Sequence, residues 1–239
     1  MIKKIALIGL CVVSSISFGM ARLGSAMMRT SSTSIPEERA GGLTLITGPM
    51  SCGKSDEIMR IISVLQHSRC KILVCKHSFD TRSSQFLTSR RRTENPIAAQ
   101  LVSNPHEILN MVGQNPVDYV AIDEVQFFKH NPMTDVIQSL IRRGIYVIAS
   151  GLDKDFKGEP FGMYTAEPLC ISSLLAIADE VIKLRAVCEV CKQWNATMTQ
   201  RLINGQPARR SDPLIVVDDG SKQEVTYEPR CRGCYRLAE

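Results

Sequence analysis

Strong charge, histidine clusters and internal repeats are all missing from this sequence. The net charge of +5 on 239 residues is mild, and Arg90-Arg91-Arg92 is its only dense basic run, so a nucleic-acid-binding platform is disfavoured. The absence of a repeat excludes solenoid and propeller arrays. The histidines show no metal-ligand spacing, and we interpret all four as surface or loop residues. They are His67, His77, His106 and His130.

Cysteine, in contrast, is frequent, with nine residues in the chain. Two matched pairs with Cys-x-x-Cys spacing are typical of a tetrahedral four-cysteine zinc site rather than of disulfides. These pairs are Cys188 with Cys191 and Cys231 with Cys234. The other five lie mostly in apolar segments and indicate small core residues in a reducing compartment. They are Cys11, Cys52, Cys70, Cys75 and Cys170.

The N-terminal segment disagrees with a reducing compartment. Two lysines, an apolar run and several small residues within the first 19 positions have the form of a secretory signal. Two explanations are open. The segment is either an export or membrane-tethering sequence, or a reading frame extended upstream of a start at Met20, Met27 or Met28. We favour the second explanation, which predicts a cytoplasmic protein without stable membrane association.

The most informative motif spans residues 48–55 and fits the phosphate-binding pattern G-x-x-x-x-G-K-[ST]. It lies between a strand-like apolar run and a segment with helical spacing of its apolar residues. A strand, a glycine turn and a helix N-terminus together direct backbone N–H groups at an anion. We therefore predict a nucleoside triphosphate site, with Lys54 at the terminal phosphates and Ser55 as a ligand of Mg²⁺. The loop residues are Gly48, Pro49, Met50, Ser51, Cys52, Gly53, Lys54 and Ser55.

From residue 43, strand-like and helix-like segments alternate along the chain. This pattern predicts an α/β fold of the phosphate-loop NTPase type, with a mostly parallel sheet covered by helices on both faces. The predicted strands are 43–47, 71–76, 117–123, 145–150 and 180–184. The predicted helices are 54–67, 105–112, 133–142 and 168–178. The polar, arginine-rich segment 79–95 is predicted to be a mobile loop.

The chain is predicted to have three parts. Residues 1–42 are a signal-like or overextended segment, in part disordered. Residues 43–186 form the phosphate-loop α/β domain. Residues 187–239 form a small zinc-ribbon domain, which is too short for a core of its own and therefore needs a metal to hold it together.

An apolar strand that ends in two acids is the second element of the predicted site. It reads Tyr-Val-Ala-Ile-Asp-Glu over residues 119–124. In phosphate-loop proteins the first acid of such a pair faces Mg²⁺, directly or through water, and this role falls to Asp123. Glu124 is then placed to act as a base. Phe127 follows closely and is predicted to pack against a base or a sugar.

In this order, the motifs resemble one family, the type II thymidine kinases, which are zinc-containing, tetrameric cytosolic enzymes. The resemblance runs from residue 43 to residue 235. It is carried by residues 48–55, 76–82, 123–128, 151–162 and 227–234. A phosphate loop alone occurs in many families, whereas this ordered set of segments is specific.

The resemblance implies ATP-dependent phosphorylation of the 5′-hydroxyl of thymidine and deoxyuridine. Glu124 would be the general base, Asp123 would lie on the magnesium side, and Lys54 would contact the phosphates. Arg82 would face the transferring phosphoryl group, and Asp80 would help to organise that part of the site. The implied cofactors are ATP, Mg²⁺ and a structural Zn²⁺.

The resemblance also implies how the nucleoside and the zinc would be held. Phe127 and Phe156 would pack about the thymine, and Tyr227 would close over the nucleoside from a C-terminal lasso domain. The zinc would be bound by the four paired cysteines. A homotetramer is implied, and no nucleic-acid partner is expected.

Two segments depart from the family pattern. Residues 51–52 are Ser-Cys where the family usually has Phe-Ser, and residues 217–220 replace the usual Gly-Gly before the binding tyrosine. Two other functions stay open at this point. One is a generic phosphate-loop ATPase whose zinc ribbon acts on nucleic acid. The other is a zinc-ribbon binding module in which nucleotide regulates assembly.

Overall fold

The computed structural model describes residues 40–79, 85–89, 96–216 and 224–239. The predictions for the N-terminal segment, for Asp80 and Arg82, and for residues 217–220 lie outside these ranges. None of the helices within them is both long and apolar enough to cross a membrane.

The strands are β1 (Gly42–Thr47), β2 (Ile72–His77), β3 (Phe86–Leu87), β4 (Ile97–Ala98), β5 (Gln100–Val102), β6 (Tyr119–Asp123), β7 (Tyr146–Gly151), β8 (Glu180–Lys183), β9 (Met198–Ile203), β10 (Gln206–Pro207) and β11 (Val225–Arg230). The helices are α1 (Lys54–Gln66), α2 (His106–Gln114), α3 (His130–Arg142) and α4 (Ile171–Ile177).

Six strands form the central sheet in the order β5-β2-β6-β7-β1-β8, and each pairing is parallel. Parallel strands need crossover connections, so the helices lie on the faces of the sheet. The carboxyl ends of the strands meet along one edge, where ligands bind in sheets of this type. Because β7 lies between β1 and β6, the loops that follow β1 and β6 flank the end of β7.

The two faces of the sheet are buried by different helices. On one face, Ile46, Ala121 and Ile148 pack in a cluster with Ile58 and Ile62 of α1. The strand residues on either side of these point the other way and pack against α2, α3 and α4. They include Leu43, Leu45, Val120, Ile122, Val147 and Ala149. Alternate residues of each strand thus enter opposite halves of the core, which explains why the strands are apolar almost throughout.

The predicted parallel sheet with helices on both faces is confirmed. Each predicted strand and helix is present, with ends shifted by a few residues. The strands β3, β4 and β5 were not predicted because they are too short to show a pattern. The interpretation of the whole segment 79–95 as a mobile loop was wrong for residues 85–89, since Leu87 is buried and pairs with Ile97 in the β3–β4 hairpin.

The C-terminal residues 187–239, here called the cysteine module, contain a three-stranded antiparallel sheet in the order β10-β9-β11. The apolar cluster that it shares with the preceding residues is small and consists of Ala186, Cys188, Ala196 and Cys231, with Cys52 and Cys234 packed against it. Among the described residues of the module few apolar side chains are buried, so hydrophobic burial there supplies little stability.

Candidate active site

The loop after β1 has the backbone geometry of an anion-binding turn. Gly48 has a φ of 146° and Gly53, the N-cap of α1, has a φ of 93°. A Cβ at Gly48 would lie 2.6 Å from the carbonyl oxygen of Leu184, so a side chain is excluded there. Because α1 begins at Lys54, its unpaired N–H groups open onto this loop.

Lys54 lies folded over the loop. Its Nζ donates to the carbonyl oxygen of Pro49 at 2.8 Å and to that of Gly48 at 3.4 Å. Phosphate oxygens would be stronger, charge-assisted partners for the same ammonium group. Burial raises the pKa of the neighbouring Cys52 thiol, and Lys54 opposes this rise. Ser55 lies in the first turn of α1, as its predicted role requires.

Asp123 is a buried carboxylate at the end of β6. It accepts a hydrogen bond from the hydroxyl of Ser150 on β7. Burial raises the pKa of Asp123 to about 6, the Glu124 carboxylate adds to this rise, and Ser150 and Lys54 oppose it. A bound cation would compensate the buried charge, so the chemistry of Asp123 and the Ser55 hydroxyl fits a hard divalent ion such as Mg²⁺.

The position of the Glu124 carboxylate is set by the backbone conformation of Glu124 and by the side-chain amide of Gln126. Its φ of 54° is in the left-handed region, which is rare for a residue with a side chain and is found at functional sites. Gln126 is fully buried, and its Nε2 donates to Glu124 Oε2 at 2.6 Å. The Gln126 Oε1 accepts the N–H of Leu152 at 3.2 Å. A Cβ at Gly151 would lie 2.5 Å from that Oε1, so glycine at the end of β7 lets the amide approach.

His77 corrects the interpretation of all four histidines as surface or loop residues, because it lies at the end of β2 and is 5% exposed. The Phe79 N–H donates to His77 Nδ1 at 3.0 Å, which favours the neutral ring with its proton on Nε2. The ring packs against Phe79, Phe127 and Phe128, with centroids 4.6, 5.7 and 4.5 Å away. Burial lowers the pKa of His77, and the Glu124 carboxylate opposes this shift.

A second buried carboxylate, Asp153, follows β7. Its Oδ2 lies 2.6 Å from Lys154 Nζ and 2.9 Å from Lys183 Nζ. Burial acts to raise the pKa of Asp153, but the two ammonium groups outweigh this effect and hold the pKa below its ordinary value. Lys154 Nζ also donates to the carbonyl oxygen of Thr197 at 3.3 Å. The ion pair with Lys183 therefore joins the end of β7 to β8, and the hydrogen bond of Lys154 joins it to the cysteine module.

The phosphate loop itself contacts the cysteine module. The Met50 N–H donates to Thr199 Oγ1 on β9 at 3.1 Å. The side chain of Cys52 packs against the cluster that contains Cys188 and Cys231. The two parts of the chain therefore share a boundary at the predicted nucleoside triphosphate site.

Phe156 and Tyr227 meet around a residue that sequence reasoning did not identify, Arg201. The Arg201 Cζ lies 3.7 Å from the centroid of the Phe156 ring and 5.2 Å from that of Tyr227. Phe156 is 3% exposed, and Tyr227 lies on β11 directly opposite Arg201 on β9. Phe127 packs instead beside His77 and Phe161.

The four paired cysteines come together as predicted, with their Sγ atoms all within 4.8 Å of one another. Cys191 Sγ and Cys231 Sγ are 3.8 Å apart. A tetrahedral ion with Zn–S bonds of about 2.3 Å would separate its sulfurs by about 3.8 Å, so the spacing fits zinc. Burial acts to raise the pKa of the Cys188 thiol, but hydrogen bonds from backbone N–H groups outweigh this effect and lower the pKa. A lowered pKa favours the thiolate that a metal binds.

Sequence reasoning missed Ser150 and Arg201 as contributors to the site, and it placed the Gln126 amide beside the base without giving it a role. Gln126 gave a weak signal, since it stands two residues after the predicted base. Ser150 gave no signal, because its partner Asp123 is 27 residues away in the sequence. Arg201 gave none either, because its partner Tyr227 lies on another strand. Only the folded sheet brings these groups to the predicted residues.

Comparisons with known proteins bear on this arrangement. A family model described as thymidine kinase matches residues 41–235. A thymidine kinase of Mycoplasma capricolum subsp. capricolum is 39% identical over 202 residues, which cover 82% of this chain and 90% of that protein. Among solved structures, the genome packaging NTPase B204 from Sulfolobus turreted icosahedral virus 2, in complex with ATP-gammaS, matches with a TM-score of 0.39 and 15% identity, over 59% of this chain and 73% of that one. That structural likeness is too weak to support an argument.

Proposed function

Because the chain belongs to the thymidine kinase family, we propose that it transfers the γ-phosphoryl group of ATP to the 5′-hydroxyl of thymidine and of deoxyuridine. The observation that carries this proposal is the fixed carboxylate of Glu124. A left-handed backbone and the Gln126 amide hold it beside Asp123, at the sheet edge that also carries the phosphate loop. A general base next to a phosphate loop suits transfer to a hydroxyl.

We call the phosphate loop with Asp123 and Glu124 the donor side. The loop N–H groups would bind the phosphates of ATP, and Lys54 would exchange its carbonyl partners for phosphate oxygens. Ser55 and Asp123 would hold Mg²⁺, which when bound neutralises charge on the phosphates. Glu124 would accept the proton of the 5′-hydroxyl as the new O–P bond forms. Catalysis would otherwise rest on alignment of the two substrates.

We call Phe156, Arg201, Tyr227 and the backbone carbonyls that Arg201 binds the acceptor side. Phe156 and Tyr227 would contact the nucleoside here, and Phe127 would contact it from beside Glu124. Arg82 and Asp80 keep the roles at the transferring phosphoryl group that the family resemblance gives them.

The remaining features of the proposal concern assembly. The cysteine cluster would bind zinc, and residues 43–186 and 187–239 would be the two domains, preceded by the segment 1–42. The enzyme would be a cytoplasmic homotetramer, as its family resemblance implies. Zinc content and mass in solution test the metal and the tetramer directly.

A substrate panel with the purified chain, ATP and Mg²⁺ tests the reaction. We expect 5′-monophosphate from thymidine and deoxyuridine, and none above background from purine nucleosides. ATP hydrolysis that requires nucleic acid, without transfer to thymidine, would contradict the proposal and support the generic ATPase. Binding of nucleic acid with a steep salt dependence and no transfer would support the zinc-ribbon binding module.

A further inference from the structure

Arg201 stands out as a buried cation in the middle of β9. Its side chain is 2% exposed and is among the largest fully buried side chains in the described residues. A guanidinium stays charged in proteins, so its burial costs free energy unless strong contacts compensate it. The contacts of Arg201 therefore indicate why a cation is placed there.

Two of these contacts hold a backbone segment. Arg201 Nη1 donates to the carbonyl oxygen of Pro213, and Nη2 donates to that of Leu214, each at 2.5 Å. The planar fork of a guanidinium fits two adjacent carbonyls, which a lysine ammonium cannot match in the same geometry. Among the described residues, Arg201 Nε has no hydrogen-bond partner, so the hydrogen-bonded hold on this segment depends on the two terminal nitrogens.

The other contacts are with aromatic rings that the proposed function assigns to the nucleoside. The guanidinium lies over Phe156 at 3.7 Å and near Tyr227 at 5.2 Å, both within the range of cation–π attraction. The backbone of Phe156 is held separately, because Tyr235 Oη donates to its carbonyl oxygen at 2.6 Å. Arg201 thus contacts three separate parts of the chain, namely residues 213–214, Phe156 and β11.

We propose that Arg201 is a positioning residue that holds segment 213–214 and the rings of Phe156 and Tyr227 in one arrangement, and that this arrangement sets the affinity for the nucleoside. The inference rests on the proposed function. It assigns Arg201 no contact with the reacting atoms. Its loss therefore affects the nucleoside more than ATP, whose loop meets the module through Met50 and Thr199.

The variants Arg201→Lys and Arg201→Met separate the parts of this role. Arg201→Lys keeps a cation near the rings but loses the fork, and Arg201→Met loses both. Arg209→Lys is the matched control, because Arg209 is an exposed arginine of the same module. Zinc content and thermal unfolding of each variant establish that it is folded.

Two readouts are measured, namely amide hydrogen exchange of the peptide that covers residues 208–216, without substrates, and steady-state kinetics. We expect faster exchange in Arg201→Lys and a KM for thymidine raised about tenfold or more, with a larger rise in Arg201→Met and none in the control. The KM for ATP stays within about twofold of wild type, since that site keeps its contacts.

Unchanged exchange in both Arg201 variants, or equal rises in the two KM values, would overturn the inference. The exchange measurement needs no turnover, so it decides the anchoring role by itself. A wild-type chain that does not phosphorylate thymidine would instead contradict the proposed function.

Discussion

The donor side and the acceptor side of the proposed site are held in place in different ways. The donor side consists of one continuous loop, residues 48–55, and one strand end, and its geometry resides in backbone angles such as that of Gly53. The acceptor side draws Phe156, Arg201 and Tyr227 from three separate parts of the chain, and the buried guanidinium of Arg201 lies against both rings. A phosphate site can thus be encoded locally, whereas the proposed nucleoside site depends on long-range contacts.

The largest effect is expected from removal of the cysteine cluster, which tests whether the acceptor side depends on it more than the donor side does. We expect Cys188→Ser/Cys191→Ser to lose bound zinc and thymidine binding, because structural zinc contributes about 10 kcal/mol or more to the folding of small modules. Affinity for an ATP analogue should fall less, since β1 and α1 still form the loop. The measurements are zinc content and calorimetric binding of each ligand.

Cys70→Ser is the control, because Cys70 is a thiol outside the cluster, between α1 and β2. It should keep full zinc content. If the double variant loses ATP affinity as completely as thymidine affinity, the contacts of Met50 and Cys52 with the module make the two sides inseparable, and the comparison fails.

The second prediction tests the chemistry on the donor side. Glu124→Gln should lower kcat about 10³-fold, because an amide cannot accept the proton of the 5′-hydroxyl. Binding of an ATP analogue should be unchanged. Glu167→Gln is the control, since Glu167 is an exposed glutamate. A Glu124→Gln enzyme with kcat within tenfold of wild type would remove Glu124 from the role of base.

The same division explains how much the sequence could predict. The phosphate loop, the Asp123–Glu124 pair and the cysteine pairs are short patterns, and the structure places each at a strand end or in a cluster. The apolar runs predicted the parallel sheet because both of its faces are buried.

The features that were missed have no local pattern. β9 reads Met-Thr-Gln-Arg-Leu-Ile, which lacks apolar alternation, yet Thr199, Gln200 and Arg201 are all buried. Burial of such polar groups depends on partners elsewhere in the chain. His77 likewise packs against Phe127 and Phe128, which follow another strand, β6, so its burial could not be inferred from its neighbours in sequence.

The third prediction concerns Gln126, which links the donor side to the end of β7. Gln126→Leu should lower kcat about tenfold, because Glu124 loses a charge-assisted hydrogen bond that orients it. Both KM values should stay near those of wild type. Gln138→Leu on the exposed face of α3 is the control.

A double-mutant cycle distinguishes positioning from general destabilisation. If Gln126 acts through Glu124, its replacement should have little further effect on kcat in the Glu124→Gln background. Additive losses in the double variant would show that Gln126 acts by another route.

The smallest effect expected is a pH dependence of stability at the end of β2, where His77 packs against Phe127 close to the donor side. The pKa of His77 is lowered from its ordinary 6.5 by burial. Between 6.5 and that lowered value, the unfolded chain binds a proton that the folded chain does not, so the free energy of unfolding decreases as the pH falls below 6.5. One such proton contributes at most about 1.4 kcal/mol per pH unit.

His77→Phe should reduce the loss of stability between pH 7 and pH 5, measured by urea unfolding across that range. His106→Gln is the matched control, because His106 is an exposed histidine outside the aromatic cluster. An identical pH slope in His77→Phe and wild type would mean that His77 accepts its proton in the folded chain. The aromatic cluster would then tolerate an imidazolium beside Glu124, and the hydrogen bond from the Phe79 N–H to Nδ1 would not keep the ring neutral as the pH falls.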